Sequence, residues 1–86
     1  MSEKDHITES NPEWERLYAV ILWAEMNPNS FAKQLGYPKA ETLYRIKRGL
    51  NGISRNLADR IVHSFPNISK GWLLSGEGSM LRGDNM

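Results

Sequence analysis

The chain contains no cysteine, which excludes disulfide staples and thiolate metal sites. An 86-residue domain without either must rest on apolar packing, and at this size it buries only a modest share of its surface. Long apolar runs are also missing. The longest, AVILWA at residues 19–24, is far short of the roughly 20 residues that cross a bilayer. The opening MSEKDHITES has no apolar stretch of the kind a secretory signal carries. A soluble cytoplasmic protein with no membrane partner is the expectation. No segment alternates apolar and polar residues over five or more positions, so no strand is expected. The two histidines, His6 in the polar lead and His63 further along the chain, are isolated from each other and no cysteine accompanies either; neither a metal nor another cofactor is expected.

What the chain does have is charge in an uneven layout. The formal net charge is only +1. Residues 1–29 set Lys4 and Arg16 against Glu3, Asp5, Glu9, Glu13, Glu15 and Glu25, a net of −4. Residues 30–60 set Lys33, Lys39, Arg45, Lys47, Arg48, Arg55 and Arg60 against Glu41 and Asp59, a net of +5. The remainder cancels. A basic middle attracts a polyanion, while an acidic end limits non-specific adhesion.

Apolar spacing predicts five short helices in a single all-α domain. Residues 1–10 are polar and aperiodic, a flexible lead, and residues 82–86 read as a flexible tail, leaving 11–81 as the domain. Asn11 and Pro12 open a first helix, with Glu13 and Glu15 at the positive end of its dipole. Trp14, Leu17, Tyr18 and Ile21 form its stripe, with Val20 and Ala24 alongside, and it should stop near Met26. Asn27 and Pro28 repeat that start. Phe31, Ala32 and Leu35 form the second stripe, over about 28–35, and Gly36 ends it. Tyr37-Pro38 makes a turn.

The third helix spans about 40–48. Leu43 and Ile46 point one way with Ala40 near their edge, while Glu41, Tyr44, Arg45 and Arg48 fall on the opposite side at about 100° per residue. Residues 49–52 form a loop. Ser54 caps a fourth helix with stripe Leu57, Ala58, Ile61, Val62 and Phe65, closed by Pro66. Ser69 caps the last, KGWLLS, stopped by Gly76, after which Met80 and Leu81 are expected to fold back onto the core. Trp14, Trp23 and Trp72 lie on apolar stripes and are expected as core anchors.

Two short helices joined by a glycine-containing turn, the second bearing exposed basic residues, form the helix-turn-helix pattern. With FAKQLG in the second helix, TLYRIKRG in the third, ISRNLADRI in the fourth and FPNISKGWLLSGEGSML at the end, the chain resembles the small five-helix, λ-repressor-like DNA-binding domains of phage repressors and xenobiotic-response-element-type regulators. The resemblance runs from about Glu15 to Leu81. Its most specific piece, WLLSGEG, is similar to that of Bacteroides-type phage-repressor-like regulators. It implies a sequence-specific binder of double-stranded DNA that acts as a transcriptional regulator, a repressor in sense, and works as a homodimer at least on DNA. Relatives often continue past this stretch into a second domain. No small-molecule ligand is implied.

Relatives usually place twelve residue steps between the two bracketing glycines, whereas Gly36 to Gly49 is thirteen. Assigning the extra residue to the turn keeps Leu43, Ile46 and Gly49 in the family register and puts the base-edge positions at Ala40, Glu41 and Arg45. Anchoring on Gly36 puts them at Lys39, Ala40 and Tyr44. Pro28 stands where relatives often carry a phosphate-binding glutamine, and Asn27 is its nearest replacement.

The residue chemistry fits such a site. The Arg45 guanidinium can pair its fork with O6 and N7 of guanine, worth about 1–3 kcal/mol of discrimination. Its alternative is an i, i+4 pair with Glu41, worth roughly 0.2–0.5 kcal/mol. Glu41 can accept from a cytosine amino group, or simply suit the first turn of a helix. Thr42 and Tyr44 can touch a thymine methyl or a phosphate oxygen, or pack. Ala40 lets the backbone approach the bases. Lys33, Lys47, Arg48 and Arg55 are phosphate ligands by type, with Asn27, Ser54 and Asn56 able to donate from helix starts. Each cation taken singly is also what solubility asks for. Arg60 and Lys70 read as surface charges. Ser54, Asp59 and His63 do not make a triad, because His63 and Asp59 lie one helical turn apart in a solvated setting, and no enzyme activity is expected. The competing function is a helical protein-interaction module, an antitoxin or adaptor that grips an acidic partner with the same scaffold.

Overall fold

The computed structural model describes residues 11–82. The lead expected at 1–10, with His6, and all of the expected tail except Arg82 lie outside the described residues. Five helices follow in order: α1 Pro12–Trp23, α2 Pro28–Gln34, α3 Glu41–Lys47, α4 Arg55–Ser64 and α5 Lys70–Ser75. Among the described residues the only extended pairing is an isolated antiparallel bridge between Ile68 and Leu81. The domain is all-α, and no helix of the described residues is long and apolar enough to cross a membrane.

Four helix starts are fixed by side chains that accept a backbone N–H left free in the first turn. Asn11 accepts from Trp14, Asn27 from Ser30, Ser54 from Leu57 and Ser69 from Trp72. Asn27 and Ser30 complete a reciprocal capping box. The fifth start differs: α3 begins after Ala40 with no side-chain cap.

Three helix ends share one closing device. In each, a residue with positive φ follows the helix, and two backbone N–H groups reach back to carbonyls of the last turn, the Schellman arrangement. For α2 these are Gly36 N–H to Lys33 and Tyr37 N–H to Ala32, both 3.0 Å; for α3, Gly49 N–H to Ile46 at 3.0 Å and Leu50 N–H to Arg45 at 2.9 Å. For α1 the donors are Glu25 and Met26, to Leu22 at 2.9 Å and Ile21 at 3.1 Å. Glu25 takes φ 60° there without being glycine. This turn ends α1 at Trp23, three residues before the expected Met26.

The stripes meet in one core of Leu17, Val20 and Ile21 from α1, Phe31, Ala32 and Leu35 around α2, Ala40, Leu43 and Ile46 around α3, Ile53, Leu57, Ala58 and Ile61 around α4, then Ile68 and Leu73. No polar residue is buried with them among the described residues. Full burial of each large aliphatic or aromatic side chain contributes about 1.5–3 kcal/mol. α1 packs on α3 and α5, and α4 packs on α5.

Several packing expectations need correction. None of the three tryptophans is a fully buried anchor: Trp14 and Trp72 pack part-buried against the core, and Trp23 is 38% exposed, its ring edge-on to Phe65. Tyr18 is also exposed, stacked on Trp14 at 5.3 Å. Phe31 fills the space instead, stacked on Phe65 at 5.5 Å. Met80 folds back onto the core, and Leu81 folds back through its backbone bridge to Ile68 but leaves its side chain exposed. Arg60 is not a simple surface charge. It is half-buried, donates to the Leu35 carbonyl at 2.9 Å and lies 4.7 Å from the Tyr37 ring centre. Lys70 pairs with Asp59.

Candidate nucleic-acid interface

α3 has two unlike sides because its sequence alternates in helical steps. Ala40, Leu43 and Ile46 face inward. Spaced at about 100° per residue, Tyr44, Arg48, Glu41 and Arg45 share an arc of roughly 100° on the far side. Glu41, Tyr44 and Arg48 are exposed and Arg45 is half-exposed. Lys47 is exposed but falls outside this arc, on the side of Ala40 and Leu43, with its ammonium turned to α1 at 5.9 Å from the Trp14 ring centre. Lys39 is exposed just ahead of the helix, and Thr42 is half-buried on its flank.

This placement bears on the two candidate registers. Ala40, common to both, is 6% exposed and packed into the core, so its methyl faces the protein and contributes nothing to an outer surface. Of the remaining base-edge candidates, Glu41, Tyr44 and Arg45 share the outward arc, while Lys39 is exposed ahead of the helix.

Arg45 and Glu41 do not form the i, i+4 ion pair that was the bland alternative; among the described residues no carboxylate lies within ion-pair distance of Arg45. Arg45 instead meets Asn51 from the following loop. With the Asn51 amide turned so that its oxygen faces Arg45, Nε donates to that oxygen at 3.0 Å, and the amide nitrogen donates to the Leu50 carbonyl at 2.8 Å.

The remaining phosphate candidates sit at helix ends on α2, α3 and α4. Lys33 is exposed in the last turn of α2, Arg48 caps the end of α3, and Arg55 and Asn56 are exposed in the first turn of α4. The Ser54 hydroxyl accepts from Leu57 N–H at 3.0 Å, which leaves its own proton free to donate. Asn27 spends its oxygen on Ser30 N–H at 2.8 Å. Its amide nitrogen makes no hydrogen bond among the described residues. Lys33 also lines a shallow, open recess of about 480 Å³ with Gly36, Arg60 and His63, which sets it closer to the α2–α4 seam than to α3.

Two clamps from α1 fix the position of α3 and of the loop behind it, and neither is evident in the sequence. The Asn11 amide nitrogen donates to the carbonyls of Ile46 and Lys47, both at 2.9 Å. The Glu13 carboxylate accepts from the backbone N–H of Ile53. It also sits against Gly52, where a Cβ would collide with it. The sequence marks Asn11 as a cap and Glu13 as a dipole partner, and both descriptions are incomplete. Asn51 has a local signal: a glycine closing α3 in a Schellman turn sends the chain back over the last helical turn.

Set beside known proteins, the chain matches no protein-family model, no curated protein and no solved structure.

Proposed function

We propose that this chain binds double-stranded DNA in a sequence-specific manner as a λ-repressor-like helix-turn-helix regulator, with α2 and α3 as the paired helices and α3 in the major groove. One observation carries this reading. α3 commits only its apolar side to the bundle and leaves Glu41, Tyr44, Arg45 and Arg48 outward, with the fork of Arg45 unpaired with any described carboxylate. In this arrangement Arg45 reads a guanine edge, Tyr44 and Glu41 contact neighbouring edges, and Lys47, Arg48, Arg55, Asn56 and the Ser54 hydroxyl hold phosphates on either side. Repression follows from occupying an operator. A homodimer places two such helices about 34 Å apart on a near-palindromic site.

Selection of bound duplexes from a random pool, at two salt concentrations, tests this reading. The expected result is a two-fold symmetric motif, with log affinity falling against log salt at a slope near −0.9 per neutralised phosphate. Arg45→Ala should lose preference at one base pair of each half-site, by about 1–3 kcal/mol, and keep its non-specific affinity and melting temperature. A pool that never converges, with retention that does not vary with salt, sends the function to the protein-interaction alternative.

A further inference from the structure

We infer that Asn51 is a positioning residue for Arg45, fixing which edge of its guanidinium is offered to a base. The inference rests on the DNA reading above and adds a residue that does not itself have to touch DNA.

The geometry begins with the end of α3. Gly49 takes φ 79°, and the Leu50 N–H closes back on the Arg45 carbonyl at 2.9 Å. This reversal carries residue 51 over the same turn from which the Arg45 side chain leaves. The Asn51 amide then has two neighbours of opposite character. Nε of Arg45 can only donate, so the amide atom 3.0 Å from it is the oxygen; the Leu50 carbonyl can only accept, so the amide atom 2.8 Å from it is the nitrogen. The two requirements agree on one orientation. A residue with only an acceptor or only a donor satisfies one neighbour and not the other.

Using Nε in this way leaves the two terminal nitrogens of the guanidinium for an end-on fork, the edge that matches O6 and N7 of guanine. With its backbone fixed by the Schellman turn and its Nε held by the amide, the side chain surrenders less freedom when it meets a base. Arg48 supplies the contrast. It lies on the same arc and is exposed, with no side-chain hydrogen bond among the described residues, as suits a mobile phosphate tether.

The test compares Asn51→Ala, Asn51→Asp and Arg45→Ala in the full chain. In the free protein, the Nε–H proton of Arg45, followed by ¹⁵N NMR, should exchange slowly in the wild type, quickly in Asn51→Ala, and slowly again in Asn51→Asp, whose carboxylate still accepts. On duplexes selected by the wild type, Asn51→Ala should weaken preference at the base pair that Arg45→Ala affects by roughly 3–10-fold, the size of ordinary coupling between touching side chains. Preference elsewhere and the melting temperature should hold, and Asn51→Ala should have no further effect in an Arg45→Ala background.

If Arg45→Ala loses a preference that Asn51→Ala keeps, the positioning role is overturned and the DNA reading survives. If Asn51→Ala acts equally in the Arg45→Ala background, Asn51 reads DNA by itself and the role is again overturned. If Arg45→Ala keeps every preference, the assignment of α3 to the groove falls and takes this role with it.

Discussion

Helices α1 and α2 begin with the same two residues and end in the same turn, yet the fold uses them differently. Each opens on Asn-Pro, with the asparagine oxygen accepting an N–H of the first turn. Each closes on a residue of positive φ, with paired N–H groups reaching back. The asparagine nitrogen marks the difference. In α1 it crosses 35 residues to the carbonyl of Ile46 and also holds that of Lys47, whereas the Asn27 capping box is wholly local. The closing residues differ too: α2 uses Gly36, but α1 forces Glu25 into the same left-handed conformation. A shared local signal therefore starts and stops both helices, while the energetic weight of each position depends on what lies beyond the helix.

Asn11→Asp probes that difference most strongly. Aspartate keeps the capping oxygen, so the start of α1 survives, but it loses both donations to α3 and turns a carboxylate toward two carbonyls. At about 1 kcal/mol for each hydrogen bond, the expected loss is about 2 kcal/mol, read as a lower urea midpoint at unchanged slope. Because the clamp holds the end of α3, the amide protons of residues 46–50 should lose exchange protection before those of α5.

Gly36→Ala should cost about 1–2 kcal/mol. A φ of 96° strains any residue with a Cβ, and here that atom would come 3.0 Å from Nη1 of Arg60, the same nitrogen that donates to the Leu35 carbonyl. Melts of this variant and of Gly36→Ala with Arg60→Lys separate backbone strain from collision. A cost of Gly36→Ala that persists when measured against Arg60→Lys alone, which itself loses the donation to Leu35, is strain.

Much of this architecture was legible in the residues because it is local. The caps at Asn11, Asn27, Ser54 and Ser69, the stop at Gly36 and the inward pair Leu43 and Ile46 each follow from chemistry within one or two turns. The premature end of α1 was not legible, since nothing in Glu25 advertises positive φ. Nor were the reach of Asn11, the grip of Glu13 on Ile53, or the burial of Arg60 against Leu35 and Tyr37, because each depends on which helices the core brings together. The outward arc of the candidate site could be read from periodicity. Gly49 signals that the chain turns back over α3, but that Asn51 then holds Arg45 is settled only by the path of the loop, and Ala40 drops out of the outer surface only once the packing of its methyl is seen.

Glu25→Gly should move stability the other way. Relief of roughly 1–2 kcal/mol of left-handed strain is partly offset by the greater freedom of glycine in the unfolded chain, about 0.4–1 kcal/mol. The expected net gain is about 0.5–1 kcal/mol. Glu25 is exposed, so the substitution removes a surface charge and no core packing, and a melt without a rise would mean that the turn relaxes at little cost.

The smallest effect on stability belongs to Asn27→Asp, and it separates the fold from the function. Aspartate preserves the oxygen that accepts Ser30 N–H at 2.8 Å and places a negative charge at the positive end of α2, worth about 0.3–1 kcal/mol in its favour at low ionic strength. No long-range donation is lost, unlike Asn11→Asp, so the urea midpoint should stay or rise slightly. A phosphate approaching the same helix start would meet a carboxylate in place of an amide donor. If Asn27 also donates to a phosphate, as the resemblance implies it can, affinity should fall for every duplex by a similar factor. If affinity does not change in this variant, Asn27 is a cap and nothing more, and the phosphate grip rests on Lys47, Arg48 and the start of α4 alone.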